Sequence, residues 1–324
     1  METTPSPLLS HTAARELSNL IANKVLGETA VDVGFSSNIF MVFGLPTRRL
    51  PGNPAFWTKK TSLCELTMTR NHKHEIPYGC YARMNQIFID TEVRAKNTNV
   101  IDVGHSFREY TNRLGYHDGK ANRAILRQLL NYITSTIHVE PARENVAPGR
   151  MVGVQTMVGR AWDLHFDVEN PEQLMLRKGQ IILDESYANH IHKHAVPLDM
   201  NMVHVFKRNP LALDFYRFLA YRANKLGKMI HFPDHLLFEQ LGTDQEADFI
   251  VRMRLRRILK AIQTYWPVKA KFESGEFILE PSPPAVQHKI PSRKPINITP
   301  VAKPKSDPPA TPPEPQNLSP KSGG

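Results

Sequence analysis

Cysteine is nearly missing: Cys64 and Cys80 are the only two in 324 residues. Two cysteines cannot build the disulfide framework of a small secreted fold, so a reducing cytoplasm is the expected location. Long apolar runs are missing too. The longest, Ile39 to Leu45, has seven residues, well short of the roughly 18 that a membrane span needs. The opening METTPSPLLSHT has neither a basic region nor an apolar one and is not expected to act as a signal peptide. There is no Walker loop, no Gly-x-Ser-x-Gly and no dinucleotide fingerprint. ATP-driven unwinding by this chain is therefore not expected.

Positive charge, by contrast, is in excess. Lys and Arg number 41 against 31 Asp and Glu, for a net charge of +10. Such a balance favours polyanionic partners and says nothing about fold. Proline is unevenly placed: 13 of the 26 prolines fall after residue 280. That distribution predicts a folded part ending near 285, followed by a disordered tail over 286–324.

Hydrophobic spacing predicts mixed α+β structure. Ser10 can cap a helix reaching about Leu26 and stopped by Gly27, within an N-terminal arm of residues 1–43. Leu63, Leu66 and Met68 alternate as in a strand. A helix is expected from Gly79 to Lys96, closed by Asn97, with polar Asn85, Gln86 and Asp90 where an apolar helix would be greasier. Val100 to Val103 reads as a strand. Ser106 to Leu114 reads as a short helix, stopped by Gly115. Asp118 can cap a longer helix over 119–137, and 138–167 alternates like a hairpin. The same order returns downstream. A helix from Pro210, a strand at 229–232, a short helix ending at Leu241-Gly242, a long helix over 244–265 begun by a Thr243/Glu246 capping box, and a hairpin around Ser274-Gly275 follow one another. The two Leu-Gly pairs are 127 residues apart. This order predicts two tandem winged helices, over about 44–168 and 181–285, the second sharing a domain of residues 169–285 with a linker hairpin around Lys178-Gly179. A winged helix is a helix-turn-helix whose last helix can enter a major groove.

The basic residues concentrate on the long helix of each unit. Arg252, Arg254, Arg256, Arg257 and Lys260 lie within nine positions, and Lys269 and Lys271 follow on the hairpin. Arg252 and Arg256 are the candidates for base edges, because a guanidinium pairs bidentately with guanine. Lys260, Lys269 and Lys271 suit phosphates. In the first unit Lys120, Arg123 and Arg127 form a thinner stripe, continued by Asn131 and Thr134, which suits DNA contact or packing against a partner subunit.

Other constellations compete. His190-Ile191-His192, with Tyr216 or Tyr221 downstream, matches the residue types of a metal-dependent rolling-circle nickase that forms a phosphotyrosine. A helix over 185–194 would place the two histidines on different sides. Cys64, His72, His74 and Cys80 could suggest zinc, but their spacing matches no Cys-x-x-Cys knuckle, and structural cysteines are the plainer reading. Asp163 to Asp167 is only a weak metal signal.

Several short motifs, in order, resemble a known family. Gly44-Leu45-Pro46 with Arg48-Arg49, Ile76 to Gly79, Thr91-Glu92 and Phe107 to Gly115 begin the series. Val196 to Asp199, Arg208 to Tyr216, Tyr221-Arg222 and Pro281 to Pro284 complete it. Together they resemble the RepA family of bacterial plasmid replication initiators over about 44–285. The resemblance implies binding to repeated double-stranded sites in the plasmid's own origin. It also implies opening of an adjacent A·T-rich segment, recruitment of the host initiator and replicative helicase, homodimers, and repression of the protein's own gene. It implies no catalytic residue, metal or cofactor. A plain transcriptional repressor would use the same helices.

Overall fold

A computed structural model describes residues 10–25, 32–62, 64–148, 150–224, 226–241, 246–286 and 296–299. The chain is α+β. Its first elements are α1 (His11–Val25), β1 (Val33–Ser36), α2 (Ile39–Phe43), β2 (Phe56–Lys60) and β3 (Cys64–Thr69). Then come α3 (Gly79–Lys96), β4 (Val100–Gly104), α4 (Phe107–Arg113), α5 (Asn122–Ile133), β5 (Thr136–Pro141), β6 (Val154–Met157), β7 (Gly159–Asp163) and β8 (Gly179–Leu183). The second half holds α6 (Glu185–His194), β9 (Val196–Asp199), α7 (Met200–Phe206), α8 (Pro210–Ala223), β10 (Ile230–Pro233), α9 (Asp234–Leu241), α10 (Asp248–Tyr265), β11 (Ala270–Glu273) and β12 (Glu276–Leu279).

Local chemistry explains most of the boundaries. The Ser10 hydroxyl accepts the Ala13 N–H at the start of α1. Ser106 caps α4, Asp184 caps α6, and Asn209 with Pro210 at the first position opens α8. Asn97 closes α3 in the left-handed conformation. Ser274 and Gly275 both take positive φ, the backbone of a two-residue turn whose twist suits a hairpin.

The two units share one topology. Each runs helix, strand, helix, helix, then two strands, and each closes a three-stranded antiparallel sheet in which the last strand lies in the middle. The orders are β4-β8-β7 and β10-β12-β11. The first unit also carries an inserted hairpin. β5 and β6 leave its three-stranded sheet and join β2 and β3 in a sheet of order β2-β3-β5-β6.

Several expectations are corrected here. The helix expected over 119–137 spans only 122–133, because Thr136 to Pro141 form β5 beside β3. Asp118 does not cap it but pairs with Arg208 at 3.1 Å. The hairpin expected around Lys178-Gly179 is not formed. Gly179 to Leu183 is instead a central strand between β4 and β7, so pairing runs across the boundary expected at 168. Its burial alternates, with Ile181 and Leu183 turned to the core and Gln180 exposed, as in an antiparallel strand with one covered face. The long helix starts at Asp248, not 244; Glu246 pairs with Arg254, and Thr243, its expected capping partner, lies outside the described residues.

The N-terminal segment is not a separate arm. β1 pairs with β9, and α1 packs on α7 and α10. Lys24 donates to the Tyr265 carbonyl at 2.6 Å and lies over its ring, a cation at the C-terminal end of α10, where the helix dipole favours one. The disordered-tail expectation is corrected at 296–299. Asn297 donates to the Asn97 carbonyl at 2.9 Å, and Thr299 N–H to the Asn99 side chain at 2.8 Å. These bonds satisfy polar groups left at the end of α3. Gly27, Leu63, Gly242 and most of the tail lie outside the described residues. Among the described residues no helix is long and apolar enough to cross a membrane.

One continuous apolar core runs through both units. At its centre lies a buried polar cluster. Asp214 on α8 takes two hydrogen bonds from Arg83 on α3, at 2.9 and 2.5 Å, and one from Arg217 at 3.4 Å. Arg83 also donates to the carbonyls of Leu45, Pro46 and Gly79. Arg217 reaches Ser36 and Gln86, both at 2.7 Å. The polar Asn85, Gln86 and Asp90 are fully buried and hydrogen-bonded, as buried polar groups must be. α3 and α8 are the opening helices of the two units, so this cluster ties one to the other.

Candidate nucleic-acid interface

α10 buries Val251, Leu255, Ile258, Leu259 and Ile262 against the core and turns its cations outward. They are not equally available. Arg252 is only 30% exposed, pairs with Asp234 on α9, and lies over the Phe238 ring. Arg254 pairs with Glu246. Arg256 is exposed and donates to the Phe272 carbonyl on β11 at 3.1 Å, tying helix to hairpin. Arg257 is exposed, and among the described residues its guanidinium meets only the Met253 sulfur, at 3.7 Å. Lys260 and Lys269 are exposed and form no ion pair among the described residues. Lys271 pairs with Glu273 at 2.5 Å, both at the surface, where such a pair is easily exchanged for another anion. Arg257, Lys260 and Lys269 are therefore the cations most available here. Arg252, a first choice from sequence, is the most committed, because its end of the stripe turns toward α9.

α5 carries the second cluster. Lys120 precedes the helix and is exposed; Arg123 pairs at the surface with Glu169 at 2.6 Å. Arg127 reaches the Tyr78 hydroxyl at 3.3 Å. The expected stripe stops there. Asn131 is buried and accepts the Glu75 N–H at 3.1 Å, so it belongs to the packing of α5. Sequence reasoning missed what surrounds this helix. Arg48 and Arg49 from the loop after α2, and Lys207 and Arg208 from the α7–α8 junction, converge beside Arg127 around one cleft. Each pair is an adjacent doublet readable in the sequence, but only the fold brings the doublets together.

The rival sites take a different shape. Glu185 to His194 is a helix, so His190 and His192 point to different sides. His190 faces Asn38 at 2.8 Å, and burial, aided by nearby His194, pushes its pKa down to about 4. Tyr216 is fully buried, its hydroxyl accepting the Asp199 N–H at 3.0 Å. Tyr221 is half-exposed, but the strand-borne histidine pair of a nickase is not assembled. Cys64 and Cys80 sit on β3 and α3, and both thiols are pushed up by burial, Cys80 to about 12. Among the described residues no three His, Cys, Asp or Glu side chains converge to hold a metal.

The fold is α+β, and exposed basic side chains gather on α5, on α10 and on the hairpin that follows α10. Residues 76–232 match the family described as plasmid encoded RepA protein, which supports the resemblance to the RepA family of plasmid replication initiators. A comparison with curated proteins finds no match. Two crystal structures of RctB domains 2 and 3 are similar in outline. One has a TM-score of 0.49 at 10% identity, covering 75% of this chain and 96% of that one. The other, of selenomethionine derivatives, has a TM-score of 0.46 at 11% identity, covering 77% and 97%.

Proposed function

We propose that the protein starts plasmid replication by binding repeated double-stranded sites in its own origin, with each unit acting as a winged helix. α10 and the β11–β12 wing make the main contact, and α5 makes a second. The observation that carries this reading is the exposed set Arg257, Lys260 and Lys269. Among the described residues these cations have no carboxylate partner, and they sit on the helix and hairpin that would meet a groove and its backbone. Phosphate contacts supply most of the affinity and its salt dependence, and Arg256 is the remaining candidate for a base edge. The protein is not an enzyme in this reading and uses no cofactor. Origin opening draws on binding energy and DNA bending by several protomers, followed by recruitment of the host initiator and replicative helicase. Homodimers, repression of its own gene and a cytoplasmic, plasmid-associated location complete the proposal.

The test is a gel-shift titration of the full chain on fragments tiling the DNA around its gene, at two salt concentrations. One fragment with repeated sites should stand out and survive the higher salt. Joint replacement Arg257→Ala and Lys260→Ala should weaken binding on every fragment and lower the salt slope by about 2, one for each phosphate no longer neutralised. Uniform wild-type binding that vanishes with salt would reduce the proposal to bulk charge. A plasmid-maintenance assay with the same pair then separates an initiator from a plain repressor, since only the first loses the plasmid.

A further inference from the structure

The cleft beside α5 has a volume of about 420 Å³ and is walled by Arg48, Arg49, Arg127, Lys207 and Arg208, with no carboxylate in its lining among the described residues. Three of these cations are paired with acids outside it: Arg49 with Glu75, Lys207 with Glu16 at 3.3 Å, and Arg208 with Asp118 at 3.1 Å. Arg48 and Arg127 have no carboxylate partner among the described residues. The first turn of α3 opens on the same space through Cys80 and Tyr81; its first amide, Gly79 N–H, donates to the Pro46 carbonyl at 2.9 Å, and among the described residues no side chain caps the helix. A helix start leaves N–H donors unsatisfied and carries partial positive charge.

A separate observation points to what is missing. Gln128 on α5 lines the cleft yet is only 1% exposed. Its carbonyl oxygen accepts the Tyr78 N–H at 2.9 Å. Its amide nitrogen is buried, with no hydrogen-bond partner among the described residues. A buried donor left unpaired is unfavourable and uncommon. Guanidinium groups, helix amides and this orphan NH₂ are all donors. Their common complement is an anion that only accepts, with several oxygens spread in space.

We propose that the cleft holds a phosphodiester of the DNA backbone next to the segment met by α5. The proposal rests on the DNA-binding reading above and adds a contact to it. Two features favour a backbone phosphate over a free ion. The cleft is much larger than one phosphate, and Arg127 lines it one helical turn after exposed Arg123 on α5. A strand following α5 would therefore pass the mouth of the cleft.

The experiment uses the full chain and an origin duplex, with fluorescence anisotropy across a salt series. Arg48→Ala removes an exposed side chain and should leave the melting temperature unchanged. It should weaken binding severalfold on every sequence and lower the salt slope by about 1. Gln128→Glu keeps an acceptor for the Tyr78 N–H but aims a carboxylate into the cleft, so it should weaken binding by at least tenfold. Inorganic phosphate serves as the control ligand. If it raises the melting temperature of the wild type but not of Arg48→Ala, while DNA affinity is the same for both, the cleft takes a free anion and the backbone assignment is overturned. If the wild type binds the origin and both variants bind with its affinity and slope, the cleft contact is wrong and the DNA-binding reading stands. If the wild type does not bind DNA, both fall.

Discussion

Asp90 shows how a single residue can be misread from sequence. It stands on α3 among apolar neighbours and looks misplaced there. In the fold its carboxylate accepts the Ser37 N–H at 2.6 Å, an N–H of Gln86, and the Tyr187 hydroxyl at 3.2 Å. Burial pushes its pKa up to about 7, and the Ser37 amide, Gln86, Arg217 and Tyr187 oppose that rise without cancelling it. Since the folded pKa is raised, the native state keeps a proton that the unfolded chain releases near pH ~4. Its contribution to stability is complete below that point and shrinks as the pH climbs toward about 7. Urea denaturation of the wild type should show this fall, and Asp90→Asn should flatten it. An equal slope in the two proteins would show that another group titrates. The cations of α10 teach the converse lesson. Sequence locates the charges, but whether each one faces solvent or an acid depends on α9 and the hairpin.

Elements were legible where their end signals are local. Ser106, Asn97, Asn209-Pro210 and Ser274-Gly275 mark their boundaries because each acts through its own backbone neighbours. α5 was not legible at either end, because β3 claims residues 136–141 and Arg208 claims Asp118. Gly115 lies between the two cases. Its φ of +77 stops α4, as its position suggests, but the fold adds a second constraint. A Cβ there would come within 2.6 Å of the His204 ring on α7. Gly115→Ala should therefore cost about 1–3 kcal/mol for the left-handed backbone alone, plus the steric clash. Adding His204→Ala in chemical denaturation should restore only the steric part. Complete recovery would mean the backbone conformation is unstrained.

At the scale of the molecule, the Arg83–Asp214–Arg217 cluster makes the two units interdependent. Asp214 is the acid both guanidiniums share, and all three side chains are almost wholly excluded from solvent. Removing one member of a buried ion pair is costly because it leaves the others charged and unpaired. Asp214→Ala should lose about 3–5 kcal/mol. Calorimetry should show the wild type melting in one transition, since α3 and α8 open different units yet meet at this cluster. Two separate transitions, with only one shifted by Asp214→Ala, would show that the units fold independently.

By itself the sequence determined the α+β character, the repeated order of elements, the positions of the basic helices and the resemblance to plasmid initiators. These follow from local spacing, local capping and ordered motifs, none of which needs a distant partner. Only the tertiary structure decided that β8 completes the first sheet, that β5 and β6 leave it, and that α1 lies against α10. It also brought Arg48, Arg208 and Gln128 around one cleft. The reason is physical: strand pairing, burial of a charge and convergence on a cavity depend on residues far apart in the chain, and adjacency along the sequence carries no record of them.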